Sequence, residues 1–330
     1  MSVFRASAPV RLDLAGGWTD VPPFSSREGG VVVSAAIGLC AHAEVQPGGT
    51  GLRLVAEDLD ARLDLADESA LDPSGPLSLL QAGLRLLPVG PCALTTRSDA
   101  PAGSGLGSSG SLDVALVGAL AAARGEVLDA REVAQLACRL EGVEAGIPGG
   151  RQDQFTAAFG GFLRLAFRDP EATVEPLALD PALLAELERR MVLVYTGASR
   201  FSGATISRVM RAYEQGDRAV TAALHSLRDV AERMADALRA GDLAAIGRLL
   251  EANWRHQQTL DPGMCTPLMD RLAEAMREAG SLGGKAAGSG AGGSMFFLGP
   301  DDPAPAIAAA RGLGMSILPV RWSPSGVRAC

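Results

Sequence analysis

The chain has 330 residues, 47% hydrophobic and 21% charged, with a net charge of −8 and a pI near 5.1. That composition is globular, and the length exceeds what one core usually serves, so two domains are expected. No dense basic run occurs, which argues against nucleic acid and anionic membrane as partners. The five cysteines (Cys40, Cys92, Cys138, Cys265, Cys330) lack CxxC spacing. Neither a signal-peptide core nor a long apolar run is visible, so the expectation is a cytoplasmic chain without a zinc site, disulfide framework or membrane span.

In chain order, VRLDLA (10–15) alternates apolar and polar residues as a strand does, and VVVSAAIGLCAHAEV (31–45) is apolar and β-branched. LRLVAE (52–57) reads as a strand, PLSLLQAGLRLL (76–87) as a helix and CALTTRS (92–98) as a strand. After PAGSGLGSSGS (101–111), the residues Leu112, Ala115, Leu116, Ala119 and Leu120 share one helical face, so a buried helix starts near Ser109. A second helix starts at the N-cap Asp129, runs through Val133, Leu136, Ala137 and Leu140, and is stopped by GIPGG (146–150). GGFLRLAF (160–167) is a strand, and polar, proline-punctuated DPEATVEPLALDP (169–181) reads as a connection. That places a boundary near residue 185, giving domains 1–185 and 186–330. RMVLVYTG (190–197) then predicts a strand, with helices over 203–239, 242–260 and 265–279. A glycine-rich stretch (283–294) follows, then strand MFFL, a helix in PAPAIAAARGLG and strand MSILPVRW. Without regular βαβ alternation, the expected class is α+β.

Four stretches carry candidate chemistry. In 101–111, glycines ahead of a helix suit close backbone approach to an anion, and the helix N-terminus favours negative charge. Gly103, Ser104, Gly105, Gly107, Ser108 and Ser109 therefore form a candidate phosphate cradle, with Ser108 and Ser109 able to reach a phosphate or a magnesium ion, or else simply capping the helix. The formal G-x-G-x-x-G match fails as a dinucleotide fingerprint, because residues 99–102 separate it from the preceding strand and no buried strand follows the helix. No Walker loop occurs, and the chain's single lysine, Lys285, is followed by Ala286. In GIPGGRQDQF (146–155), Asp153 follows a tight turn, as a general base for a hydroxyl would, or as a helix-capping aspartate would. Glu141 and Glu144 lie one turn apart on the preceding helix, where one could reach a metal or both could be solvated. In APVRLDLAGGWTD (8–20), Arg11 and Asp13 leave one face of a strand, and Trp18, Thr19 and Asp20 suit a sugar, or else a core tryptophan and a turn. GKAAGSGAGGS (284–294) is a second glycine cluster, either a linker or a loop packed near a ligand.

These four stretches, in this order, resemble the GHMP kinases: PAGSGLGSSGS is similar to that family's central motif, APVRLDLAGGWTD to its N-terminal motif and GKAAGSGAGGS to its C-terminal glycine motif. Within the family, AGGWTDVPPFSSREGGVVVSAAI, PGGRQDQFTAAFGGF and YTGASR resemble the heptose 7-phosphate kinase and fucokinase group of sugar 1-kinases. The resemblance implies an α+β chain with a ribosomal-S5-like N-terminal domain, a ferredoxin-like C-terminal domain, and ATP with Mg²⁺ between them. By matching positions it implies Asp153 as catalytic aspartate, Arg11 as its arginine partner, Ser109 and Glu141 as magnesium ligands, Asp20 as a sugar-binding aspartate and Gly150 as part of the substrate turn. Two departures stand out. Gly17 and Trp18 replace the Glu-His pair of galactokinases, and the third motif reads GSGAGGS. The implied reaction is ATP-dependent phosphorylation of a C1 hydroxyl, that of D-glycero-D-manno-heptose 7-phosphate. The alternatives are fucokinase-like action on an unphosphorylated sugar and, from another class, a non-catalytic sugar or nucleotide sensor. A 7-phosphate calls for cations, for which Arg151, Arg200, Arg255 and Lys285 are the candidates.

Overall fold

The computed structural model describes residues 2–197 and 203–330. The first half holds strands β1 (Phe4–Ala15), β2 (Gly30–Pro47), β3 (Leu52–Ala56), β4 (Ala61–Leu65), β5 (Cys92–Ser98), β6 (Phe162–Arg168) and β7 (Glu171–Pro176), with helices α1 (Phe24–Glu28) after β1, α2 (Ser78–Leu86) after β4, and α3 (Ser108–Ala123), α4 (Ala130–Arg139) and α5 (Gln152–Phe159) between β5 and β6. Then come α6 (Pro181–Arg190), β8 (Met191–Tyr195), α7 (Gly203–Glu214), α8 (Arg218–Ala240), α9 (Leu243–Leu260), α10 (Pro267–Glu278), β9 (Gly283–Ala286), β10 (Ser294–Leu298), α11 (Ala304–Gly312), β11 (Ser316–Leu318) and β12 (Arg328–Ala329).

Strand β2 is the spine of the first sheet. Among the described residues the path runs β12-β1-β2-β5-β3-β4, and β6, itself paired with β7, joins the other end of β2. The apolar run at the start of β2 is explained by cores on both faces. Val32 belongs to a core shared with α3 and α4, whereas Val31, Val33, Ala35 and Ile37 face a core shared with α8 and α9. Helix α3 is buried from Gly110 through Ala121 save Leu112, which fits its nearly unbroken small and apolar sequence. The second sheet, β11-β8-β10-β9, is antiparallel and packs against α10 and α11. One core contains Leu12 and Val33 together with Leu193, Val230, Leu249 and Phe296, so the two halves of the chain share an interior. Among the described residues no helix is long and apolar enough to cross a membrane.

Several local expectations change. The helix predicted over 203–239 is two helices, because Gly216 takes a left-handed φ of +78° and Asp217 caps α8 by accepting from the amides of Ala219 and Val220. The stretch read as a connection supplies β7 and α6, the latter capped by Asp180 with Pro181 at its first turn. The expected division at 185 runs through α6, and β12 returns the chain's last residues to β1. Of the strand predicted over 315–322, only Ser316–Leu318 pairs as a strand, with Trp322 forming a lone bridge to Ile37.

Candidate active site

A cleft of about 390 Å³ opens where β1, the N-termini of α3 and α5, the 146–150 turn, the start of α7 and Gly288 meet. One wall is main chain. Gly103, Gly105 and Gly107 have φ of +67°, +78° and +76°, which turns the chain into α3 at Ser108 with the first-turn amides unpaired within the helix. The same glycines receive the second glycine cluster. A Cβ on Gly105 would stand 2.6 Å from the Ala287 carbonyl, and one on Gly288 2.6 Å from the Gly105 carbonyl. Among the described residues the buried hydroxyls of Ser104 and Ser108 have no hydrogen-bond partner.

Asp153 sits in the first turn of α5. Arg11 Nε donates to Asp153 Oδ1 at 2.7 Å while its NH1 group donates to the Gly105 carbonyl at 2.7 Å, so one guanidinium ties carboxylate to loop. Burial opposes the Arg11 charge, but Asp153, Asp13 and Asp20 outweigh it and raise its pKa. Gly110 admits Asp153 to the head of α3, since a Cβ there would lie 2.5 Å from the Asp153 Cβ.

Helix α4 ends in a wide π-type turn, Leu140–Glu144, that brings Glu141 to the cleft. Gln154 Nε2 donates to Glu141 Oε2 at 2.6 Å. Burial, then the charge of Asp153, pushes the Glu141 pKa to about 7, against the opposing hydrogen bonds of Ser109 and Gln154. Asp20, buried and accepting from the Gln152 amide at 3.0 Å, is raised by desolvation to about 6. Asp113, one turn into α3, is fully buried, and among the described residues neither oxygen has a partner in good hydrogen-bond geometry, although the Gln154 amide lies near enough to favour its charged form. Desolvation, then the charge of Glu141, holds its pKa well above the usual carboxylate range.

The pocket thus gathers Arg11, Trp18, Asp20, Gly103, Ser104, Gly105, Gly107, Ser108, Ser109, Glu141, Gly150 and Asp153 from the sequence-derived set. Four other candidates are placed elsewhere. Thr19 is a fully buried latch, its hydroxyl donating to the Gly16 carbonyl at 2.7 Å and accepting from the Val31 amide at 3.0 Å. Arg151 turns away to Asp169 and to the carbonyls of Pro170 and Glu171, stacked over Phe167. Lys285 is 0% exposed and donates to Asp13, so the protein already holds its ammonium. Arg255 lines a separate cleft beside Trp254 and Arg277. Glu144, the other carboxylate considered for a metal, pairs with Arg139 at 3.1 Å. Arg200 lies outside the described residues. Sequence reasoning missed Gln152, Gln154 and Asp113. The two glutamines flank Asp153 without a spacing signal, and an aspartate in an apolar helix was the one visible mark of Asp113.

The oxygen donors suit a hard cation. Among the described residues Glu141 has no ion-pair partner, and the Ser109 hydroxyl lies near enough to favour its charged form. Among the described residues no three His, Cys, Asp or Glu side chains cluster to cage a metal. Magnesium fits such a sparse set, since it keeps waters and phosphate oxygens and takes one or two carboxylates from the protein.

Two family models match, GHMP kinases N terminal domain over residues 77–161 and GHMP kinases C terminal over 234–313. D-glycero-alpha-D-manno-heptose 7-phosphate kinase of Campylobacter jejuni is 30% identical over 90% of both chains. The bifunctional fucokinase/GDP-fucose pyrophosphorylase of Arabidopsis thaliana is 29% identical over 90% of this chain, which spans only 30% of that longer protein. Among solved structures, a D-glycero-D-manno-heptose 1-phosphate kinase from Bacteroides thetaiotaomicron superposes with a TM-score of 0.81 at 27% identity, covering 99% of this chain and 98% of that one.

Proposed function

The chain belongs to the GHMP kinases, an ATP-dependent phosphotransferase acting on a sugar hydroxyl, and from that premise we propose that it phosphorylates the anomeric C1 hydroxyl of D-glycero-D-manno-heptose 7-phosphate. The likeness to a heptose 7-phosphate kinase supports the acceptor, and the observation that carries the phosphotransfer is the Arg11 clamp, which fixes Asp153 beside the amides that open α3. Asp153 Oδ2 accepts the proton of the attacking C1 hydroxyl, and its Oδ1 stays bound to Arg11. Main-chain amides of residues 103–109 and the head of α3 hold the ATP phosphates, so catalysis rests on positioning and fixed charge. Ser109 and Glu141 would hold Mg²⁺, which would supply charge neutralisation for the phosphate oxygens. Trp18, Asp20 and Gly150 face the acceptor. Arg200, outside the described residues, is the cation left to meet the 7-phosphate.

One observation favours a second reading. Arg151 and Lys285 are committed to protein carboxylates and Arg255 lines another cleft, which suits a fucokinase-like enzyme acting on an unphosphorylated sugar. The discriminating experiment is Mg²⁺- and ATP-dependent ADP release with the heptose 7-phosphate, L-fucose, D-arabinose, galactose and mannose. A kcat/KM at least about tenfold higher for the heptose phosphate supports the first reading, and the same preference for a neutral sugar replaces it with the second. Sugar and nucleotide binding without ADP release from any of them would revive the sensor.

A further inference from the structure

Beneath the acceptor side of the cleft, a buried ion pair joins the two halves of the chain. Lys285 on β9 donates from Nζ to the Asp13 main-chain carbonyl at 2.7 Å and to Asp13 Oδ1 at 2.5 Å. Asp13 is 1% exposed and Lys285 0%. Desolvating two such charges costs several kcal/mol per ion, and an apolar pair of similar volume often serves stability as well. A pair kept for stability alone has reason to bind both carboxylate oxygens. Here, among the described residues, no hydrogen bond reaches Asp13 Oδ2.

That free oxygen has a direction. It occupies the space a Cβ on Gly17 would fill, and Gln152 Nε2 stands 3.4 Å from the same point. Asp13, Trp18 and Gln152 all line the cleft. Two further atoms there are buried without partners, Trp18 Nε1 as a donor and Gln152 Oε1 as an acceptor. Trp18 holds a left-handed φ of +83°, a conformation that persists in non-glycine residues only when its surroundings enforce it and that gathers at ligand sites. Asp13 also stands on the same strand face as Arg11, two residues and therefore ~6.6 Å along β1, roughly one sugar ring beyond the residue that grips the base.

Resting on the sugar-kinase reading above, we propose that Asp13 Oδ2 accepts a hydrogen bond from a ring hydroxyl of the acceptor sugar, away from the phosphorylated carbon, and that Lys285 is the positioning residue that aims it. Gln152 and Trp18 complete this edge with one more acceptor and donor, so it recognises a neutral, hydroxyl-rich part of the ligand. The contact makes Asp13 a specificity-determining residue, and it gives the buried lysine a reason to cross from the second sheet.

Steady-state kinetics of Asp13→Asn and of the charge-free double variant Asp13→Asn/Lys285→Met test this. A hydrogen bond to a charged acceptor corresponds to a loss of roughly 10- to 100-fold on removal. The sugar KM is expected to rise by that factor in both variants while the ATP KM stays within about twofold. The wild type should discriminate against one monodeoxy analogue of the acceptor, and both variants should lose that discrimination. An unchanged sugar KM in Asp13→Asn, recovery in the double variant, or an equal rise in both KM values would overturn the proposal and leave the pair structural. If no sugar is phosphorylated by the wild type, the kinase reading fails by itself. Calorimetric titration of sugar into the wild type and the double variant then decides the Asp13 contact separately, a tenfold weaker Kd supporting it and an equal Kd removing it.

Discussion

The two walls of the cleft are made of different material. The wall we assign to phosphate is main chain, shaped by closely spaced glycines and by the head of α3. The wall we assign to the acceptor is side chain, assembled from Asp13, Trp18, Asp20 and Gln152, with its support drawn from Lys285, 272 residues from Asp13. Backbone amides do not depend on residue identity except where a Cβ would intrude, so such a wall is stable to sequence drift and carries a motif. A side-chain wall can be rebuilt one residue at a time, which is how one fold comes to serve several acceptors.

Substitutions can break this contrast at points of decreasing effect. Asp153→Asn, where the walls meet, should lower kcat by about two to four orders of magnitude, the usual scale for general-base loss, while ATP binding by equilibrium titration stays near wild type. Retained turnover would take Asp153 out of that role. On the main-chain wall, Gly105→Ala places a methyl 2.6 Å from the Ala287 carbonyl at a φ of +78°. It should raise the ATP KM roughly tenfold with less than a threefold effect on sugar KM, if a strain on the order of 2 kcal/mol falls on the loop. An equal effect on both substrates would mean that the walls are not separable.

Smaller effects concern charge and support. The Glu141 carboxyl titrates near 7 in the folded chain against about 4.5 when unfolded. The folded state therefore binds the extra proton, and stability falls as pH rises between those values, by on the order of 3 kcal/mol. Asp20 and Asp113 are raised in the same direction, so Glu141→Gln should lessen, without abolishing, the fall of Tm with pH over that window in the absence of Mg²⁺ and ATP, and an unchanged slope would place the whole effect on those two groups. Thr19→Val removes the latch between Gly16 and Val31 and should cost about 1–3 kcal/mol in denaturant unfolding, with sugar KM within about threefold. A large KM effect at constant stability would restore Thr19 to the acceptor wall. Arg151→Ala should do least, leaving both KM values within about twofold, because its guanidinium is bound to Asp169 and two carbonyls.

The same contrast governs what the sequence made legible. The glycines of 101–111, the turn before Asp153 and the Arg11 face of β1 were readable because each is a local pattern with a local cause. Their second role was not. Gly105 is needed as much for Ala287 as for a phosphate, and only the fold brings those segments together. Thr19, Arg151 and Lys285 read as ligand contacts from their motifs, but each binds the protein in the structure, and for Lys285 the partner lies 272 residues away, beyond any local pattern. The α7–α8 break was marked by Gly216 and Asp217 but overridden by the apolar period running through it. Strand β7 was hidden because an edge strand with polar residues looks like a connection.

The most direct test of the central claim is the position of the transferred phosphate. The protein would be incubated with Mg²⁺, ATP and the preferred sugar, and the product examined by phosphorus NMR for coupling to the anomeric proton. The account predicts one product, coupled at C1, whose formation is lost in Asp153→Asn. Phosphate at another carbon, or ADP formed at the same rate without sugar, would contradict it.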